Sequence, residues 1–372
     1  MQFDILYDEE TLYHNFICGS SAEFYIRPIT TCIDDVDAMT FFTNCLVFRD
    51  DIPTLPDDFC GLFDTICCFQ MTPYPNYPGF VKLKKIGILK YYWNCRKFQF
   101  HKVKKLQCLY ANKNSEFLNV VLEQPGNPKR GPAVKYNFEN SDQVPCFWCP
   151  QWPKEAQDWR YRRREYGWPT PVNIHDVVQN GCHVVIAKHP SCKDDDHQYR
   201  LSFSAAEVIL LQSWTPVQQI VYHMLRFFAK RELINKNCPK EDEVLCTYHF
   251  KTLMLWSCEE MSPKWWNSSF VIEICCNLLE KLARWLKEKR CRNYFIPQAN
   301  LFHKGMNKKL VDETIGRLNK VSKFGSLNVW FAYEYISPIV KIVLTSEDTT
   351  EPEIDVEHFM LRICKFWMLG SS

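Results

Sequence analysis

The chain has 372 residues, 46% hydrophobic and 24% charged, with a formal net charge of +2. That balance excludes a disordered chain and gives length for about two domains or lobes. It also excludes a globally basic nucleic-acid binder, so any such surface has to be a local patch. The most apolar late run, 327–344, contains Glu334, Pro338 and Lys341. A spanning helix needs about 20 predominantly apolar residues, so no membrane span is expected. The 19 cysteines are odd in number and scattered, with neighbours such as Cys67-Cys68 and Cys275-Cys276, and the start MQFDILYDEE lacks a basic signal-peptide region. This pattern predicts free thiols in a reducing, cytoplasmic compartment.

In chain order, the first informative stretch is Gly19-Ser20-Ser21 followed by Asp34-Asp35-Val36-Asp37. A Gly-Ser turn offers backbone N–H groups and a hydroxyl to a phosphate. In a strand, residues two apart share a face, so Asp35 and Asp37 are expected side by side. Adjacent carboxylates repel unless a cation neutralises them, and hard divalent cations bridge carboxylates to phosphates. The pair suggests phosphoryl or nucleotidyl transfer. Taken alone, the same residues fit a common turn and a solvated strand edge.

The stretch from Phe42 to Phe63, with Asp50-Asp51, Pro53, Pro56 and Asp57-Asp58, reads as irregular surface. Pro73 to Gly79 predicts a turn, and Phe80 to Lys84 alternates as a strand. From Lys82 to Lys105 the chain carries Lys82, Lys84, Lys85, Lys90, Arg96, Lys97, Lys102, Lys104 and Lys105, no acid, and interleaved Tyr91, Tyr92, Trp93, Phe98 and Phe100. Two readings stay open: a phosphate-tracking surface with aromatics that stack on bases, or a solvated strand face whose aromatics point to the core.

Val134, Tyr136 and Phe138 alternate, and a turn at Glu139 to Ser141 leads into a strand opening at Asp142. This predicts a hairpin. Asp142 is either a third metal ligand brought beside Asp35 and Asp37 by sheet pairing, or a turn residue. Cys146 and Cys149 have zinc-like spacing but no partner pair follows, so they read as core thiols. A helix is predicted from Trp152 to Gly167, its Arg160, Arg162, Arg163 and Arg164 solvated. Cys182 to Ala187 reads as a buried strand with His183 as a core histidine, and Cys192 to His197 as a polar loop. Ser204 is expected to cap a helix from Ala205, with Glu207 completing a capping box. Further helices are predicted over 218–232, with Ile220, Val221, Met224, Leu225 and Phe228 on one apolar face, and over 247–259 and 270–290. Residues 303–325 read as a basic, exposed helix ending at Gly325; 326–372 carries no clear assignment.

Longer motifs carry a resemblance. Tyr199-Arg200-Leu201-Ser202-Phe203-Ser204-Ala205-Ala206-Glu207 and Asn293-Tyr294-Phe295-Ile296-Pro297, followed by Asn300-Leu301-Phe302, are the most specific. With them go Tyr248-His249 and Lys251-Thr252, Gly131 to Val134, and Asp142, Val144-Pro145 through Trp152-Pro153. From Gly19 to about Phe302 the chain resembles the Mab (male-abnormal) nucleotidyltransferase family, which includes cyclic GMP-AMP synthase (cGAS) and the cGAS-like receptors of animals. The resemblance implies an α/β, two-lobed nucleotidyltransferase fold: a mixed-sheet catalytic lobe over 1–198, a helical lobe over 199–302 closing over a nucleotide cleft, and a C-terminal extension over 303–372. Gly19 and Ser20 match the family's phosphate-gripping turn. Asp35, Asp37 and Asp142 match its metal ligands, although the hairpin is shorter than in cGAS. Arg200, Ser202 and Ser204 match acceptor-pocket residues, Arg226 falls where a phosphate-binding Lys is frequent, and Tyr248 matches a base-stacking aromatic beside Thr247.

The implied chemistry is two-metal catalysis with Mg2+ or Mn2+ on NTP substrates such as ATP and GTP, two transfers giving a cyclic dinucleotide or a short oligonucleotide. Double-stranded RNA or DNA is the expected activator, held by Lys82, Lys84, Lys85, Lys104 and Lys105, in innate immune signalling. The 18 residues before Gly19 are too few for the family's long helix, so the sequence reads as a shortened or incomplete form. The gap from Gly19 to the Asp pair is slightly longer than in cGAS. The link from Leu211 to Gln218 is too short for a zinc thumb and has no Cys, so no structural zinc is expected. The competing reading is a catalytically inactive scaffold of the same fold that binds nucleotides or a partner; the retained Asp set favours the enzyme. A sequence-specific DNA-binding protein lacks its helix-turn-helix or zinc-finger signature here.

Overall fold

The computed structural model describes residues 13–23, 36–50, 65–95, 97–102, 134–136, 141–187, 189, 198–234, 243–302 and 305–336. Asp35, Lys104, Lys105 and the 192–197 loop lie outside them. The chain divides into a sheet unit reaching to Leu210, and a helical unit that starts at Leu211 and also takes in Arg162–Thr170. Residues 199–202 form a strand of the sheet.

The sheet unit begins with β1 (Tyr13–Cys18) and the single helical turn α1 (Ser20–Glu23). There follow β2 (Val36–Phe48), β3 (Thr65–Pro73), β4 (Phe80–Tyr92), β5 (Lys97–Lys102), β6 (Val134–Tyr136) and β7 (Ser141–Cys149). Then come α2 (Gln157–Tyr161), α3 (Pro171–Gln179), β8 (Cys182–Ile186), β9 (Tyr199–Ser202) and α4 (Ser204–Gln212). The strand order is β1-β2-β3-β4-β9-β8-β7-β6, with β5 added to β4 and β7 also pairing β2. The path β2-β3-β4-β9-β8-β7 therefore returns to β2. The sheet is mixed: β2 runs parallel to β3 and β7, while its other partner and the remaining pairs are antiparallel.

β2 corrects one expectation. The acids and prolines after Arg49 suggested irregular surface from Phe42, but the strand runs to Phe48, and Cys45, Leu46, Val47 and Phe48 are all buried. A strand covered on both faces reads as a continuous apolar run rather than an alternation. Leu46 and Phe48 join Ile66, Cys68 and Leu89 in one core cluster; Met39 joins Cys18, Cys146 and Val185 in another. Cys146 and Cys149 are buried, and every described cysteine is a free thiol. Burial pushes the Cys68 thiol up to about 12 and Cys146 well above its usual value, so these thiols are unreactive at neutral pH. His183 is buried as expected, its ring 4.9 Å from that of Phe16.

The helix expected to reach Gly167 stops at Tyr161. Trp152 and Trp159 pack at 5.4 Å, with Trp152 also 5.3 Å from Phe203. Beyond Tyr161, Arg162 and Arg164 enter an ion-pair network, while Arg160 and Arg163 are exposed, so only half of the run is the solvated face its composition suggested. Ser204 lies inside α4 rather than before it: the Glu207 N–H donates to the Phe203 carbonyl at 2.8 Å. One-residue shifts of this kind are common at helix ends.

The helical unit contains α5 (Pro216–Phe228), α6 (Thr247–Glu260), α7 (Val271–Lys287), α8 (Lys308–Val321) and α9 (Phe324–Trp330). α5 opens two residues earlier than expected. Thr215 accepts from the Gln218 N–H, Gln218 caps in return, and Pro216 fills the first turn. Its burial extends past one apolar stripe to Gln218, Gln219 and His223. Each of these side chains makes at least one hydrogen bond. Gln219 Nε2 donates to the Leu211 carbonyl at 2.6 Å, and His223 Nδ1 lies 2.7 Å from the Tyr335 hydroxyl. α8 buries Val311 and Leu318 and ends at Val321; Gly325 sits inside α9 instead of ending a helix. Among the described residues no helix is long and apolar enough to cross a membrane.

The Arg162–Thr170 segment is anchored to this unit by charge. Arg162 Nη1 lies 3.1 Å from Glu259 Oε1, Arg164 Nε 3.5 Å from Glu259 Oε2, and the Tyr294 hydroxyl donates to Oε2 at 2.7 Å. Arg162 also donates to the Tyr294 carbonyl at 2.7 Å and lies over the Trp256 ring at 4.4 Å. Glu259 and Arg164 side chains are each only 6% exposed. Removing one partner of a buried pair leaves an uncompensated charge. Glu259→Ala is expected to destabilise the unit by about 3–5 kcal/mol, read by denaturant unfolding.

Two buried histidines set a pH dependence. Burial holds His183 at about 4; burial, with Arg226 and Lys230 nearby, holds His223 at about 3. Both lie below the unfolded value, so the unfolded chain binds more protons at acid pH. Stability is present in full above about pH 6.5 and declines as pH falls toward 4 and then 3. Urea midpoints measured between pH 7 and 4 are expected to fall, and His183→Gln to give a shallower slope.

Candidate functional site

The sheet register builds a row of positions. Cys18 of β1 pairs with Asp37 of β2; Asp37 pairs with Asp142 of β7; Asp142 pairs with Lys135 of β6. Neighbouring strands lie about 4.8 Å apart, so Asp37 and Asp142 sit in adjacent strands at the same level. Asp142 is the second residue of its strand, and its neighbour across the parallel pair lies on β2, more than 100 residues earlier in sequence.

The turn lies at the end of the same row. Gly19 follows Cys18 directly and adopts φ +61°, a left-handed conformation that glycine takes without strain. Its carbonyl accepts from the N–H groups of Ala22 at 3.2 Å and Glu23 at 3.0 Å, which starts α1 at Ser20. β1 thus pairs Cys18 with Asp37 and leads directly into the turn at Gly19 and Ser20. Asp35 lies outside the described residues, two positions before Asp37.

Sequence reasoning passed over two charged neighbours. Lys135 stands opposite Asp142, and only the hairpin register could have singled it out. Glu23, one turn beyond Ser20, is buried; a capping-type spacing after Gly-Ser was the available signal.

β9 brings further residues to the same strand. Ser202 Oγ lies 3.8 Å from Met39 Sδ and 3.1 Å from Ser204 Oγ. Met39 is two residues past Asp37 on β2, so the Ser202–Ser204 pair sits beside the Asp row. Arg200 is exposed on β9, opposite Val185 on one side and Phe80 on the other.

Arg226, Thr247 and Tyr248 belong to the helical unit. Arg226 is half-buried on α5. Thr247 and Tyr248 open α6, where the Cys246 N–H donates to His249 Nδ1 at 3.0 Å. Asn293 Oδ1 accepts from the Phe295 and Ile296 N–H groups at 3.0 Å each, which leaves its Nδ2 directed at the Tyr248 hydroxyl, 3.4 Å away. Lys251 Nζ lies 5.6 Å from the centre of the Tyr248 ring. The aromatic is held at its hydroxyl end.

The expected lysine track is divided. β4 pairs Gly87 with Cys68 but Lys85 with Phe69, so Ile86 is an extra residue in a bulge. A one-residue insertion reverses which face each later side chain takes. Lys82 and Lys84 share a face with Cys68 and Leu89; Lys85 and Lys90 lie on the other.

A divalent cation fits the row by donor chemistry: two carboxylate residues in register on adjacent strands, beside a Gly-Ser turn suited to phosphate. Among the described residues no group of three or more His, Cys, Asp or Glu is placed to hold a metal ion.

A mixed sheet joined to a helical unit, with this turn and acid row, defines a nucleotidyltransferase-type fold. Residues 96–213 match the Mab-21 protein nucleotidyltransferase domain, and residues 214–320 the Mab-21 protein HhH/H2TH-like domain. The chain belongs to the Mab-21 family. It is 27% identical over 176 residues to "Protein mab-21-like" of Anopheles gambiae, covering 45% of this chain and 46% of the relative. The protein of the same name from Aedes aegypti is 26% identical over 176 residues, with coverage of 45% and 46%. The alignment thus spans about half the length of these relatives. Asp142, Arg200, Ser202 and Ser204 fall in the first matched segment and Arg226, Thr247 and Tyr248 in the second; Gly19, Ser20, Asp35 and Asp37 precede both.

Proposed function

We propose that the protein is a metal-dependent nucleotidyltransferase that joins NTPs, such as ATP and GTP, into a cyclic dinucleotide or similar nucleotide second messenger in cytoplasmic innate immune signalling. The observation that carries this reading is the alignment of Asp37 with Asp142 across the parallel β2–β7 pair, with the Gly19–Ser20 turn one strand away. Asp35, Asp37 and Asp142 would hold Mg2+ or Mn2+. When bound, such ions lower the pKa of an attacking hydroxyl and offset charge on the leaving phosphate.

The chain's own groups position the nucleotides. Gly19 and Ser20 grip phosphate through backbone N–H groups and a hydroxyl. Ser202 and Ser204, already hydrogen-bonded to each other, present two hydroxyls to the acceptor nucleotide, with Arg200 as an exposed cation on the same strand. Arg226 binds phosphate, Thr247 offers a hydroxyl to the nucleotide, and Tyr248 stacks on a base. Positioning and charge compensation are the usual sources of rate in phosphoryl transfer.

Purified protein given labelled ATP, GTP, CTP and UTP with magnesium or manganese and a panel of nucleic acids is expected to yield a nucleotide product. The double variant Asp35→Asn, Asp37→Asn should abolish it; unchanged product would refute the assignment. Nucleotide binding without any product under all conditions would identify a scaffold.

Tyr248→Ala is expected to weaken nucleotide binding by about 1–3 kcal/mol, the usual worth of a base–aromatic stack. Calorimetry on a variant with unchanged thermal unfolding checks this. Equal affinity would remove Tyr248 from the site.

A further inference from the structure

Cys246 and His249 form a pair that nucleotide binding does not use. Cys246 stands at the N-cap of α6, and its Sγ lies 3.4 Å from His249 Nδ1. The same ring nitrogen accepts the Cys246 N–H at 3.0 Å, so it carries a lone pair. The His249 ring is buried, packs 5.0 Å from the Phe302 ring, and hydrogen-bonds the backbone of Leu301. The Leu301 N–H is already given to the Cys291 carbonyl at 2.7 Å, so the Leu301 carbonyl is the partner and takes the Nε2 proton. These bonds assign the tautomer in which Nδ1 is a base beside the thiol. The Tyr248 N–H, at the head of α6, donates to the same sulfur. Among the described cysteines, only Cys95 and Cys246 are not buried.

We propose that Cys246 is a modification site: a nucleophile activated by His249, which hydrogen peroxide oxidises to a sulfenic acid. A nucleophile and a base within hydrogen-bond reach make an activated thiol, and a helix N-terminus adds its partial positive charge. Burial works against the Cys246 thiolate, but the His249 charge and hydrogen bond and the Tyr248 N–H outweigh it, and the thiol lies below its usual value despite Glu243 nearby. Burial likewise opposes charging of His249, yet Cys246, the Leu301 carbonyl and Glu243 raise it above its usual value. Cys291 is fully buried; burial first, then the Cys246 charge, raises its thiol, so it stays protonated. The step balances. The Cys246 thiol gives its proton to His249 Nδ1. The thiolate attacks one peroxide oxygen, so an S–O bond forms and the O–O bond breaks. The leaving hydroxide takes the proton from Nδ1 and departs as water. Sulfur is oxidised, the peroxide is reduced, and the imidazole returns to neutral. Susceptibility to this oxidation follows thiolate character and access, and Cys246 has both.

Two other readings are weaker. A purely structural cap needs only an acceptor for the Cys246 N–H, which Gln at this position supplies as well as His. It does not account for the approach of Sγ to Nδ1. A metal site needs further donors, and among the described residues no group of three or more His, Cys, Asp or Glu is placed to hold an ion.

The inference concerns the thiol and stands whether or not nucleotides bind at Thr247 and Tyr248 beside it. The test treats the full chain, reduced and then freed of reductant, with hydrogen peroxide and dimedone, which traps sulfenic acid. Mass spectrometry of the peptides reads each cysteine separately. Cys246 is expected to be labelled about tenfold faster than Cys95. Cys95 is the more exposed of the two, but its thiol donates to the Tyr92 carbonyl at 3.6 Å. His249→Gln keeps the cap and removes the base, so labelling of Cys246 should fall about tenfold with thermal unfolding unchanged. In the native chain, alkylation of Cys246 by iodoacetamide should keep its rate below about pH 8.5, where an ordinary thiol slows. That profile needs no variant and decides the matter if His249→Gln does not fold. Labelling no faster than at Cys95, a rate that follows the ordinary thiol curve, or labelling unchanged in folded His249→Gln would each overturn the proposal.

Discussion

The sheet unit depends on β2 being paired along both edges at once. Between Asp37 and Phe41 its backbone is shared by β1 on one side and β7 on the other, and further along by β3. A strand used in this way cannot slip without breaking its register with β1, β3 and β7 at once. The same constraint fixes what lies at its start. Because β1 and β7 are both locked to β2, the Gly19 turn, Asp37 and Asp142 have to arrive at one level of the sheet. The candidate site is therefore a by-product of core packing. Its carboxylate positions are tied to residues buried a few positions along the same strands.

The helical unit is held by a different means. Glu259 gathers two arginines and a tyrosine hydroxyl from segments distant in sequence, so the irregular stretch after Tyr161 behaves as part of a helical core. Its neighbour Tyr294 contributes a ring, a hydroxyl and a carbonyl to that network. Asn293, beside it, orders the following backbone and reaches the Tyr248 hydroxyl. The motif around Tyr294 that carries much of the family resemblance thus has a structural duty: it joins the buried ion network to the start of α6, where the nucleotide-binding candidates sit.

Family membership is firmest where the two domain matches lie, and these begin at residue 96. The first half of the acid row precedes them. What connects the two parts is physical: the parallel pairing of β2 with β7 places an unmatched Asp37 beside a matched Asp142.

Local chemistry was legible in the sequence. The Pro73–Gly79 turn, the strand from Phe80, the hairpin before Asp142, the buried strand at Cys182 and the helices of the second unit follow from turn residues and periodicity. So did the candidate residues, because Gly-Ser turns and paired acids carry a chemistry independent of context. The fold class and family came from ordered motifs, which encode long-range constraints that no single window shows. Tertiary structure decided the rest. β2 continues through Phe48 because it is covered on both faces, which erases the alternation that marks a strand. Arg162 and Arg164 pair inward because Glu259, nearly a hundred residues away, is buried and needs a partner. The lysines after Lys82 divide between two faces because Ile86 is an unpaired extra residue, a property of β4's pairing with β3 and not of either strand alone.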